Sequence, residues 1–225
     1  MKTLIFFLTL STLSFTPEII QGQSVTIVDF VTKSYIHGVP FSEAKSFGSQ
    51  ALPELFSMLH SPRYEKYRSN IVAIIGMIGD ESAFVPLKEY LESQEGEISQ
   101  ATFISLLVVF QSLGRLGQNG NMNVIAYLAQ WTRPNYWEKA GLKFTYQNYR
   151  DQTLGEVLGR LAIQGLGITG NPKAIEVLEN LMNHEKQLKK NFNWDWSDNI
   201  EEAIALNKRI SKEGVQKVFD ESDQY

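Results

Sequence analysis

Cysteine is absent from this 225-residue sequence, and histidine occurs only three times, at His37, His60 and His184. The first absence excludes a disulfide framework, structural zinc on thiolates and thiol catalysis. The scarcity of histidine leaves little for a metal centre. His184-Glu185 opens an H-E-x-x-H zinc motif, but Leu188 stands where the second histidine is required. Neither a G-x-S-x-G nucleophile elbow nor a Walker-type Gly-Lys-Ser is present. Excess positive charge is missing too: 21 Lys and Arg face 25 Asp and Glu, a net charge of −4. That is the wrong balance for displacing counterions from phosphates, so nucleic acid is not an expected partner. Acid pairs such as Asp80-Glu81 and Glu201-Glu202 read as helix-start charges. No catalytic residue, metal or cofactor is expected, and the chain reads as a non-enzyme.

What remains is 43% hydrophobic and 20% charged, ordinary for one or at most two packed domains and unlike a disordered chain. Residues 1–22 do not fit a fold. Lys2 precedes an apolar stretch from Leu4 to Phe15, followed by Pro17 and a polar exit at Gln21-Gly22-Gln23. This is the pattern of a secretory signal peptide, too short for the roughly 20 apolar residues of a membrane span. Cleavage after Gly22 and a secreted or periplasmic location are expected. The apolar run Phe103 to Phe110 is bracketed by Gln100 and Gln111; it reads as a helix buried between neighbours on both sides.

Three segments repeat one punctuation mark: Val72-Ala-Ile-Ile-Gly-Met-Ile-Gly-Asp80, Phe110-Gln-Ser-Leu-Gly-Arg-Leu-Gly117 and Ala162-Ile-Gln-Gly-Leu-Gly-Ile-Thr-Gly-Asn171. Each is expected to end one helix at an aliphatic-Gly-x-x-Gly turn and open another within a few residues. A glycine just past a helix end supplies the left-handed conformation of a compact stop. Asp80 and Asn171 are suited to N-caps, with Pro172 at the first helical position. The flanking helices keep a 3.6-residue apolar period, as at Leu154, Val157, Leu158 and Leu161, then Ala174, Ile175, Leu178 and Leu181. Gly76 and Gly114 are close to one helical-pair period apart, about 40 residues, and the step from Gly114 to Gly167 carries an insertion. A degenerate copy follows at Ala203 to Leu206, with Gly214 before Val215, Val218 and Phe219. A helix over Ala51 to Leu59 supplies a partner at the other end. A helical hairpin of this kind cannot bury both faces alone and must stack on a copy of itself.

The segments Ile75-Gly-Met-Ile-Gly-Asp-Glu-Ser-Ala83 and Leu166-Gly-Ile-Thr-Gly-Asn-Pro-Lys-Ala174 resemble HEAT repeats, in the short, glycine-marked form also found in phycobilisome bilin-lyase subunits. The resemblance runs from about Ala51 to Phe219. It implies an all-α fold, a right-handed α-solenoid of about four HEAT-like pairs, and a protein-binding scaffold. Bilin-lyase chemistry does not suit an exported chain without cysteine. The expected organisation is a signal peptide at 1–22, an N-terminal capping helix region at 23–50 marked by Val25, Val28, Val31 and Ile36, repeats at 51–221 and a short tail at 222–225. Gly165-Leu-Gly-Ile-Thr-Gly170 also spells the dinucleotide fingerprint G-x-G-x-x-G, but the residues before it have a helical period where the fingerprint needs a strand.

The turns after the glycine marks are short, whereas the opposite connections, at 60–67, 92–99, 131–152 and 183–197, are long and are expected along one edge. All four tryptophans fall in the last two. Trp131, Tyr136, Trp137, Tyr146, Tyr149, Trp194 and Trp196 are therefore the candidate contact residues, because such rings dominate binding hot spots. Asn135, Asn193 and Asp195 beside them suit a sugar or peptide. The competing reading is that the rings fold the long connections back onto the helices. A second candidate surface is the polar stripe of Glu156, Arg160 and Gln164, extended by Arg115. The expected partner is a protein; the alternative is a glycan, peptide or small ligand on the same aromatic edge.

Overall fold

A computed structural model describes residues 25–36, 38–133, 136, 142–149, 151–192 and 195–220. The leader at 1–22, His37, Asn135, Trp137, Asn193 and Trp194 lie outside the described residues. Those described are mostly helical: α1 (Ile27–Thr32), α2 (Phe41–Ser46), α3 (Leu52–His60), α4 (Arg68–Ile78), α5 (Phe84–Glu92), α6 (Gln100–Leu116), α7 (Met122–Trp131), α8 (Asp151–Ile168), α9 (Pro172–Phe192), α10 (Ser197–Glu213) and α11 (Val215–Asp220). The protein is thus all-α, with one minor addition. Two-residue strands β1 (Gly96–Glu97) and β2 (Phe144–Thr145) pair in parallel. Elements that short carry no periodicity, and the sequence gives no sign of them.

Helices α4, α6, α8 and α10 pack side by side in chain order. A second layer covers them: α5 lies on α6, α7 on both α6 and α8, and α9 on both α8 and α10. Between the layers runs one continuous core that includes Leu55, Ile71, Leu87, Leu106, Leu113, Leu128, Leu158 and Leu178.

Helix boundaries follow local chemistry. Gly79 (φ 72°) closes α4 with its N–H on the Ile75 carbonyl, and Asp80 accepts from the Ser82 N–H at 2.9 Å to start the next turn. Gly170 (φ 58°) follows α8, and Asn171 accepts from the Lys173 N–H at 2.9 Å with Pro172 first in α9. In the middle mark the left-handed residue is Gly120 (φ 84°) and not Gly117, which has helical φ.

The first glycine of each mark has a further role that its sequence context does not announce. A Cβ on Gly76 would lie 2.5 Å from Ser112 Cβ, and one on Gly114 would overlap the Gly165 carbonyl oxygen. On Gly165 it would meet the Phe110 carbonyl oxygen at 2.7 Å, and on Gly167 the Ala203 carbonyl oxygen at 2.9 Å. These glycines lie where α4 crosses α6, α6 crosses α8, and α8 crosses α10. Missing side chains let the backbones approach, and polar groups use the closeness. Ser112 donates to the Val72 carbonyl at 2.8 Å, and buried Asn207 donates to the Leu166 carbonyl at 3.0 Å. Gly165 and Gly167 both lie within α8, so G-x-G-x-x-G forms a helix crossing and cradles no phosphate.

Two further expectations change. The N-terminal capping region is two short helices, because Pro40 precedes α2 and Ile36 is fully exposed. The connection expected over 183–197 is mostly helix: His184 to Lys190 contains no breaker and is rich in helix formers, so α9 continues to Phe192.

Candidate functional site

The long connections meet along one edge. From the 60–67 connection, Glu65 accepts from the Ser99 hydroxyl at 2.6 Å. Next, Gly96 N–H donates to the Lys143 carbonyl at 2.7 Å and Ile98 N–H to the Thr145 carbonyl at 2.9 Å. Farther along, Trp196 fills the notch left by Gly159 on α8, where the backbone of Trp131 also approaches. Residues distant in sequence are thereby aligned.

The two described tryptophans on this edge, Trp131 and Trp196, are not displayed. Trp131 is 4% exposed and Trp196 0%. Trp131 packs edge-on against Phe110 at 5.5 Å, and half-buried Tyr136 packs against Trp131 at 5.1 Å. Burial, with a smaller contribution from Glu92, pushes the Tyr136 phenol above its ordinary range. A ring face that stacks on a ligand must be open, so Trp131 and Trp196 are corrected from contact residues to core residues. The physical reason is the entropy of ordering a long connection, which aromatic burial offsets.

Tyr146 and Tyr149 form a different arrangement. Tyr146, 8% exposed, stacks on Phe103 with centroids 4.0 Å apart and planes 12° apart. Tyr149, 37% exposed, lies nearly parallel to both rings, 6.0 Å from Phe103 and 6.3 Å from Tyr146. Glu97 pins the turn carrying them: one carboxylate oxygen accepts from the Thr145 hydroxyl and the other from the Gln147 N–H, both at 2.6 Å. That fixes Gln147 in a left-handed conformation, φ 51°. Sequence reading missed Glu97 and Phe103 because their partners are more than 40 residues away and no local pattern links them.

On α8, Glu156, Arg160 and Gln164 form an accessible polar stripe. Arg160 Nη2 donates to Glu156 Oε1 at 2.9 Å, and Gln164 accepts weakly from Gln111 at 3.4 Å. The ion pair spans one turn on an accessible surface, worth only a few tenths of a kcal/mol, so both groups can exchange partners. Beside it, between α8 and α10, runs a groove of about 220 Å³ lined by Arg160, Leu161, Gln164, Asn199, Glu202 and Leu206. It offers a guanidinium, a carboxylate and two amides around two leucines.

The fourth expected member, Arg115, is not on the open stripe. It is 9% exposed in the last turn of α6, between the rings of Phe41 and Phe219. The approach of α2 and α11, which contact each other, buries it. Burial pulls its pKa down to about 10, leaving it charged at neutral pH.

Among the described residues no group of three or more acidic or histidine side chains is placed to hold a metal ion, and no helix is long and apolar enough to cross a membrane. His184 is exposed on α9, bonded only to the Asn180 carbonyl. Comparison with family models, curated proteins and solved structures yields no match to this chain.

Proposed function

We propose that this chain is an exported interaction scaffold, a HEAT-like α-solenoid of about four helical pairs that binds a protein partner across its inner helical layer. The observation that carries the reading is the groove between α8 and α10, open beside the Glu156–Arg160 pair. It combines exchangeable charges, amides and a leucine floor, the chemistry of a polypeptide contact rather than of a reaction centre. Support for the solenoid comes from the serial packing of α4, α6, α8 and α10, and support for export from the pattern of residues 1–22. The glycan alternative is the weaker one, because Tyr149 is the only ring with substantial exposure among the described candidate aromatics.

The test is a photo-cross-linking amino acid placed in turn at Gln164, at Tyr149 and at Glu179, which is exposed on the other layer, followed by irradiation of the extracytoplasmic fraction. A discrete protein adduct at Gln164 that falls about tenfold when Arg160→Glu is added, and is missing at Glu179, is expected. That loss corresponds to about 1.4 kcal/mol. Equal adducts at Gln164 and Glu179, or recovery of the chain only inside the cell, would overturn the proposal.

A further inference from the structure

Among the described residues, Arg115 is a buried cation with no anion beside it. Its Nε is sealed from solvent with no acceptor, and no carboxylate among the described residues contributes to its ionisation. Its guanidinium carbon lies 5.1 Å from the Phe219 ring and 5.9 Å from the Phe41 ring. These rings come from opposite ends of the described chain, and Gln216 of α11 clasps Ser42 of α2 at 3.0 Å to hold them there. Cation–π attraction offsets only part of the cost of desolvating a charge, and buried arginines ordinarily carry a carboxylate. The two terminal nitrogens of the fork are not among the sealed atoms, and such a fork matches the two oxygens of one carboxylate.

We propose that Arg115, with Phe41 and Phe219 as apolar walls, is a binding site for a single aliphatic carboxylate. The inference is independent of the partner reading, since it concerns the clasp between α2 and α11 and not the groove. A planar two-oxygen anion with an alkyl tail fits both the fork and the aromatic walls. Phosphate has no apolar part to place between the rings, so it should bind more weakly. The carboxylate can come from a free ligand or from an acid of the chain itself, Asp220, Glu221 and Asp223 being those that follow Phe219 in sequence.

The experiment titrates butyrate, phosphate and chloride at equal ionic strength into the full chain and into a chain ending at Phe219. Thermal midpoint and the Arg115 side-chain Nε–Hε resonance are followed. With butyrate about tenfold above its Kd, the midpoint of the full chain should rise by about 3–6 °C over chloride, with a saturable shift of the resonance. Arg115→Met should abolish the rise, and Arg115→Lys, which keeps the charge but loses the planar fork, should weaken binding about tenfold. Response in the shortened chain alone supports the site and identifies the chain's own acid as its occupant. Response in neither chain, or an equal response in Arg115→Met, overturns the proposal. Should Arg115→Met fail to fold, the ranking of butyrate over phosphate and the resonance shift in Arg115→Lys decide it.

Discussion

Replacing Gly114 by alanine is expected to lower stability by about 2–3 kcal/mol, although alanine is the better helix former. In an isolated helix the exchange would gain up to about 1 kcal/mol. Here the new methyl group overlaps the Gly165 carbonyl oxygen and would also lie 2.9 Å from Ile168 Cβ. Backbone on the facing helix has no rotamer to change, so α6 and α8 must separate. Overpacking of this kind costs about 1–3 kcal/mol and occasionally more. For a domain of this size the thermal midpoint should fall by about 4–12 °C. Gly120→Ala is the informative contrast. Its φ is 84° with only the Asn171 amide near, at 3.9 Å, so it pays only the left-handed strain of about 1–2 kcal/mol. A stabilised Gly114→Ala protein would mean that the helices do not cross there.

The larger loss is expected from Trp196→Ala, about 3–5 kcal/mol by urea denaturation. Trp196 is fully buried and heads the largest buried side chains. It stands immediately before α10, and a Cβ on Gly159 would lie 2.7 Å from its ring, so truncation empties a notch shaped for an indole. Asp195 fixes the approach to this position: it accepts from Lys189 Nζ at 2.7 Å and from the Ser197 hydroxyl at 2.6 Å. Those contacts hold its carboxyl well below the usual carboxylate range, and they cannot replace the lost packing. Tyr149→Ala, by contrast, removes an exposed ring and should change stability by no more than about 0.5 kcal/mol. Comparable losses for the two variants would mean that Tyr149 also belongs to the core and offers no contact surface.

The same residues explain what sequence reading could and could not reach. Helix faces such as Leu154 to Leu161 and Ala174 to Leu181 announce themselves through a 3.6-residue period, and caps such as Asp80 and Asn171 through residue type. A glycine announces only that a side chain is missing. Whether it frees φ, as at Gly79, or admits a neighbouring backbone, as at Gly76, depends on a helix more than 30 residues away. Tryptophan is similarly ambiguous, since the ring that makes a hot spot also orders a connection, and Trp131 and Trp196 are used for the second purpose. Arg115, on the neighbouring repeat, reads as an extension of the Arg160 stripe because corresponding helices of stacked repeats are expected to present polar residues on one face. That pattern cannot reveal that α2 and α11 close over that position.

The central structural claim is that each glycine mark is a crossing between successive helices of one layer, and a double-mutant cycle tests it most directly. Gly114→Ala and Gly165→Ala act on the same α6–α8 crossing, whereas Gly167→Ala acts on α8 and α10. Free energies of unfolding for the single and double variants should show Gly114→Ala and Gly165→Ala together costing less than their sum, by about 1 kcal/mol or more. Gly114→Ala and Gly167→Ala should add to within about 0.5 kcal/mol. Simple additivity for the first pair would contradict the crossing and, with it, the continuous helical layer on which the groove depends.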